Sequence, residues 1–316
     1  MPEMPEVEGL AQFLRERAVG RAVSAVEVGA VSALKTFSPA PTALAGRRVT
    51  DVARHGKWLD LVTGPGQPAG GAAAGDEPGP AGDEPGPPGD DEPEPAELHL
   101  LVHLAKAGWL RWYDAVPATA LRPGRSPIAL RVRLDDGAGF DLTEAGTRKR
   151  LAVHVVARPA DVPAVATLGV EPADLTLERL RALLAARNQQ VKGLLRDQSV
   201  IAGIGNAYSD EILHAARMSP FALTRTFDDD ASARLHTAIG EVLRAAVAAA
   251  AGRPAADLKD AKRRGMRVHG RTGQPCPVCG DTVREVSFAD SALQYCPTCQ
   301  TEGKVLADRR MSRLLR

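Results

Sequence analysis

Two sets of residues in this chain could do chemistry, one at each end. At the start, Pro2 and Glu3 stand in the run Met1-Pro2-Glu3-Met4-Pro5-Glu6-Val7-Glu8. Met1 precedes a residue of small cross-section and is expected to be removed, which leaves Pro2 as a free secondary amine. An α-amino group titrates at about 7.7–8.0, against about 10.4 for lysine. Such an amine is a nucleophile near neutral pH and can form an iminium with a carbon at the aldehyde oxidation level. Glu3 beside it can move protons. At the other end, Cys276-Pro277-Val278-Cys279 and Cys296-Pro297-Thr298-Cys299 form two C-x-x-C pairs with sixteen residues between them. That spacing suits one structural Zn2+ per chain, closed by four thiolates with no open position. Both sets have plain alternatives: chains begin Met-Pro-Glu by chance, and thiols can stay free.

The intervening elements must position these residues. The pattern predicts a helix over 5–18, with Pro5 in its first turn, Glu6 and Glu8 at its positive end and Gly20 as its stop. Val7, Leu10, Phe13 and Leu14 share a face, so the helix packs and fixes the N-terminus. Residues 21–28 and 47–62 alternate as strands. Within the second, Gly56 suits a hairpin tip that projects Lys57, whose plain reading is a solvated turn lysine. Strands return at 98–113, 128–134, 139–142 and 151–156. Arg122 and Arg125, before Ile128, read first as solvated loop charges, with Arg125 taken as a candidate phosphate contact. After Pro159 the period becomes helical, over 176–186 and 230–251. Between those helices, Gly203-Ile204-Gly205-Asn206 reads as a tight turn opening a helix. Backbone N–H groups at such a start bind phosphate oxygens, and Asn206 can cap the helix or bond a phosphate. A turn with no ligand fits that run equally.

The chain has 316 residues, 44% apolar and 25% charged, enough for two or three globular domains. No apolar run reaches the roughly 18 residues that span a bilayer, and no basic-then-apolar leader is visible. A cytoplasmic, nucleoid-associated protein is therefore expected, with no membrane partner. Residues 64–97 hold nine acids and no Lys or Arg, in a Gly-Pro-rich near-repeat. Such composition buries too little surface to offset ordering entropy, so a disordered acidic insertion is expected. Subtracting its charge from the net +1 leaves the remainder at +10, which suits a polyanionic partner. Lys259, Lys262, Arg263, Arg264, Arg267, His269 and Arg271 lead into the cysteines, and 301–316 reads as a basic tail. Phosphate contact, at Arg271 among others, is the expectation for this basic flank.

These motifs, in this order, resemble the formamidopyrimidine-DNA glycosylase / endonuclease VIII family over nearly the whole chain outside the insertion. The matching residues are the first eight, His55-Gly56-Lys57, Gly203-Ile204-Gly205-Asn206 and the cysteine pairs. The resemblance implies an α+β fold: an N-terminal β-sandwich with a leading helix (2–158), a helix–two-turn–helix domain (159–272) and a zinc ribbon (273–300). It implies a monomeric base-excision-repair glycosylase with AP-lyase activity on damaged or abasic DNA. Pro2 would attack C1′ of a flipped nucleotide, Glu3 would serve as general acid/base, and Glu6 would help fix this end. Lys57, Gly205 and Asn206 would hold phosphates. The sequence departs from the family where an arginine normally precedes the third cysteine by five residues, a position occupied by Ser291. The void-filling methionine corresponds to Lys106, and the rest of the wedge falls near Thr147 and Arg148. Lys106 and Arg148 are taken to fill the gap, and recognition of 8-oxoguanine opposite cytosine is not implied. The competing expectation is a damaged-DNA-binding protein of the same fold with weak or lost base excision. A zinc-ribbon scaffold for protein partners would leave the N-terminal motif unexplained.

Overall fold

A computed structural model describes residues 1–66, 95–122, 126–145, 148–288 and 291–307. Most of the acidic stretch, together with Arg125, Thr147 and the tail from 308, lies outside the described residues. The opening helix α1, Met4–Ala18, leads into two four-stranded antiparallel sheets. One has the order β1 (Val23–Val28), β6 (Ile128–Leu134), β7 (Gly139–Glu144), β5 (Gly108–Tyr113). The other runs β2 (Arg47–His55), β3 (Trp58–Gly66), β4 (Leu98–His103), β8 (Ala152–Val156). Alternate residues face inward, so Leu59, Leu61, Leu100 and Val102 meet Leu110, Leu130, Val132 and Leu142 in one core. The expected β-sandwich is present. Strand β3 continues to Gly66, three residues into the stretch read as insertion. On the far side, the Arg47 guanidinium donates to the carbonyls of Pro95 and Ala96.

Helix α1 belongs to both halves of the molecule. Its Val7, Leu10, Phe13 and Leu14 enter the sandwich core, whereas Met4 enters the helical core with Leu180, Leu194, Ile204 and Tyr208. The helical part comprises α2 (Pro163–Ala166), α3 (Leu177–Ala186), α4 (Val191–Arg196), α5 (Asn206–Ala215), α6 (Asp229–Ala250) and α7 (Leu258–Gly265). Thr176 and Asp228 cap α3 and α6 by accepting N–H groups of Arg179 and Ala231, at 3.1 and 2.7 Å. The last element is an antiparallel hairpin, β9 (Arg284–Ser287) with β10 (Ala292–Tyr295), followed by α8, Pro297–Thr301. No described helix is long and apolar enough to cross a membrane.

Candidate nucleic-acid interface and active site

The N-terminal segment lies against the opening of α5. The Met4 N–H donates to the Gly203 carbonyl at 3.1 Å. The Glu3 carboxylate, 2% exposed, accepts the backbone N–H groups of Gly205 (2.7 Å), Ala207 (2.9 Å) and Tyr208 (3.3 Å). Those are the orphan donors of a helix N-terminus, at the positive end of its dipole. Two glycines permit this approach. A Cβ on Gly205 would stand 2.4 Å from the Glu3 carboxyl carbon, and one on Gly203, at φ +86°, 2.5 Å from the Met4 Cβ. The expectation that these N–H groups stand open for phosphate is corrected: the chain's own carboxylate occupies them. Of the two roles expected of Asn206, the structure does not show the cap. Gly205 holds the cap position, and the Asn206 amide donates to the Ala292 carbonyl at 2.7 Å, tying the turn to the cysteine hairpin.

Lys262 of α7 closes the other side of this junction. Its Nζ lies 2.7 Å from Glu6 Oε2, 3.7 Å from Glu3 Oε1 and 3.2 Å from the Met1 carbonyl. The Glu6 carboxylate also accepts the Glu3 N–H at 2.8 Å and the Tyr208 hydroxyl at 2.6 Å. Burial works to raise the Glu3 carboxyl, but Lys262, Lys57 and the α5 backbone outweigh it and hold the group below the usual carboxylate range. It is therefore ionised at neutral pH. Burial, followed by Glu6 and Glu3, drives the Tyr208 phenol far up, so it remains a donor.

Lys57 is not a solvated turn lysine. The two-residue Gly56-Lys57 turn, flanked by the His55–Trp58 pair, is pressed onto the helical half, and Gly56 N–H donates to Glu171 at 2.7 Å. Lys57 is 8% exposed. Burial pushes its ammonium down to about 8; Glu3 opposes the shift, and Lys262 and Arg196 add to it.

A cleft of about 430 Å³ collects residues from all three parts of the chain. Met1, Glu3, Lys57, Lys106 and Arg150 come from the sandwich half; Arg196, Gly205, Asn206, Lys262 and His269 from the helical half; Ser291 from the hairpin. A second cleft of about 640 Å³ shares Met1, Lys106, Lys262 and His269 and adds Pro2 and Arg271. The structure therefore brings together Pro2, Glu3, Lys57, Lys106, Gly205, Asn206 and Arg271. Arg148 is exposed and lines neither cleft; Arg150, two residues on, takes its place. Sequence reasoning passed over Arg150 and Arg196 and held Lys262 only as part of a basic run. The three-residue spacing of Lys259 and Lys262 on one helix face was the available signal.

The four cysteine sulfurs lie within 4.8 Å of one another, with Cys276–Cys299 at 3.9 Å and Cys279–Cys296 at 3.3 Å. A tetrahedral zinc with Zn–S near 2.3 Å spaces its sulfurs at roughly 3.8 Å, so these residues fit the ion. Bound there, zinc would cross-link the hairpin to the preceding loop. His214 of α5 adds a contact, with Nε2 3.3 Å from Cys276 Sγ. A lone two-stranded hairpin is marginal in water. Stripping zinc with a chelator is expected to expose residues 273–301 to protease while the rest of the chain keeps its thermal midpoint. DNA affinity is expected to fall about tenfold or more, since the metal holds the hairpin against Asn206. An unchanged digestion pattern would count against the site.

A sandwich, a helix–two-turn–helix and a four-cysteine ribbon that share a cleft lined by Lys and Arg place the chain in one class of DNA glycosylases. Residues 1–153 match the formamidopyrimidine-DNA glycosylase N-terminal domain, 168–255 the H2TH domain of the same enzyme, and 273–301 the zinc finger found in FPG and IleRS. The formamidopyrimidine-DNA glycosylase of Symbiobacterium thermophilum is 31% identical over 326 residues, covering 98% of this chain and 93% of its own. An uncharacterized formamidopyrimidine-DNA glycosylase-like protein of Mycobacterium tuberculosis is 57% identical over 157 residues, covering 50% of this chain and 99% of its own. The crystal structure of MutM (Fpg) from Thermus thermophilus is 27% identical, covers 96% of this chain and 100% of that one, and superposes with a TM-score of 0.70. The chain belongs to the formamidopyrimidine-DNA glycosylase family, a family of DNA-repair enzymes.

Proposed function

We propose that this chain excises damaged bases and cleaves abasic sites by β-elimination, with Pro2 as the nucleophile once Met1 is removed. The observation that carries this reading is the burial of Pro2 and Glu3 at the junction where Lys57, Lys106 and the Asn206 turn share one cleft. Burial, with Lys262 next in weight, already lowers the α-amino group at Met1, so an amine placed here is shifted toward its nucleophilic form. Attack on C1′ would give an iminium. Glu3, ionised and adjacent, would accept the proton that the Pro2 amine loses on attack and deliver it to the ring oxygen O4′ as the C1′–O4′ bond breaks. Lys57, Lys106, Arg150 and Arg196 would hold phosphates about the flipped nucleotide. A monomer with one zinc, acting on damaged or abasic DNA in the nucleoid, completes the reading.

Borohydride reduction of the chain mixed with abasic-site DNA is expected to give a covalent product. Pro2→Gly, or acetylation of the terminus, should lower trapping by about 100-fold, in line with loss of a positioned nucleophile. Equal trapping by the blocked chain would rule Pro2 out. A second reading, damaged-DNA binding with weak or lost excision, is favoured by one feature. Ser291 lines the cleft where the resemblance calls for an arginine, and serine brings no guanidinium to a phosphate. Release of no base from a panel of lesions, together with tight binding, would select it.

A further inference from the structure

The cleft holds an ordered acid–histidine pair that the scheme above leaves idle. His269 lies between α7 and the first cysteine pair, and its Nδ1 stands 2.8 Å from Oδ2 of Asp210. The Asp210 side chain is 0% exposed. Its other oxygen is held by Lys192 Nζ at 2.5 Å, and Lys192 is anchored on the Ser209 hydroxyl at 2.8 Å and the Asn206 carbonyl at 3.2 Å. The main chain is fixed as well: Glu211 accepts the N–H groups of Arg267, Val268 and His269 at 2.8, 3.0 and 2.8 Å. A carboxylate at Nδ1 keeps the proton there and leaves the lone pair on Nε2. Among the described residues nothing hydrogen-bonds Nε2. The ring is 29% exposed and lines both clefts, beside Pro2 in one and Glu3 and Lys57 in the other.

We propose that His269, oriented by Asp210, is the general base of the elimination that follows attack by Pro2. The assignment rests on the lyase reading above. From the C1′ iminium, the C2′ proton passes to Nε2 and its bonding pair forms the enamine. Collapse of the enamine makes the C2′–C3′ double bond and breaks C3′–O3′, whose pair leaves with the phosphate on the downstream strand. The imidazolium is stabilised by Asp210 and returns its proton to water. The two neighbours are less suited. Both Glu3 oxygens already accept backbone N–H groups, and Lys57 keeps its proton below about 8. The other charged residues lining the two clefts with His269 are Lys106, Arg150, Arg196, Lys259, Lys262, Arg263, Arg264 and Arg271, set against Glu3 and Glu6.

The test uses the full chain, with loss of Met1 confirmed by mass spectrometry, on an oligonucleotide carrying one preformed abasic site. His269→Gln is expected to trap with borohydride within twofold of the wild type yet to cleave the strand about 100-fold more slowly, as removal of a general base requires. Asp210→Asn, which favours the wrong tautomer, should lower cleavage while sparing trapping. Unaltered cleavage in His269→Gln, or cleavage and trapping falling in parallel as for a phosphate contact, overturns the assignment alone. Failure of the wild type to trap overturns the lyase reading and the assignment with it.

Discussion

Glu3→Ala is expected to cost about 3–5 kcal/mol of folding stability, the usual penalty for removing one partner of a buried charged set. The N–H groups of Gly205, Ala207 and Tyr208 would lose their acceptor in a site where Glu3 is 2% exposed. Lys57 and Lys262 would also face each other without the intervening negative charge. Glu3→Gln keeps the volume and one acceptor oxygen but turns an NH2 toward backbone donors, so about half that loss is expected. Because the folded Glu3 carboxyl lies below its ordinary range, its contribution is complete above the unfolded value and fades as pH falls through the folded one. The gap between wild type and Glu3→Gln should therefore narrow below about pH 4, near the unperturbed carboxyl value. Urea unfolding at pH 7 and at pH 3.5 measures both effects. A Glu3→Ala chain within 1 kcal/mol of wild type would show that the carboxylate is not the tie between the two halves.

Lys57→Met is expected to act in the opposite direction. The folded Lys57 titrates at about 8, and an unfolded lysine at about 10.4. Between these values the unfolded chain holds a proton that the folded chain has lost, so wild-type stability rises with pH across that window. Below about 8 both states are protonated and the full cost of burying the cation is present, about 3 kcal/mol. Methionine removes that cost. The variant should be more stable than wild type at pH 7 by up to that amount, with the difference vanishing near pH 10.5. Affinity for abasic DNA should fall about tenfold or more, because a phosphate is the partner that would repair the buried charge. Differential unfolding at pH 7 and 10, with DNA titrations at fixed salt, decides the matter. A variant that is no more stable at pH 7 would mean that Lys57 is already neutralised within the free protein.

Both effects come from long-range juxtaposition, and this marks the limit of what the linear chain reveals. Helix α1, the Gly56-Lys57 turn, the Gly203–Asn206 turn and the cysteine pairs are local patterns: periodicity, turn chemistry and ligand spacing involve residues a few positions apart. For that reason the fold class and the four-cysteine cluster were legible. Strand boundaries were close as well, since the alternation along 47–62 and 128–134 reports directly which side faces the core.

Partnership was not legible. Glu3 meets Gly205 across 202 positions, Lys262 meets Glu6 across 256, and His269 meets Asp210 across 59. Nothing local in a glutamate says whether it caps its own helix or another, and a basic run does not say which lysine turns inward. The sequence by itself determined which chemical groups are present and on which kind of element each sits. The tertiary structure alone decided that the N–H groups of Gly205, Ala207 and Tyr208 already have the Glu3 carboxylate, that Lys57 is buried, and that Arg150 rather than Arg148 reaches the cleft. The physical reason is that burial and pairing depend on how the sandwich and the helical half pack across α1, and packing is a property of surfaces brought together from distant segments.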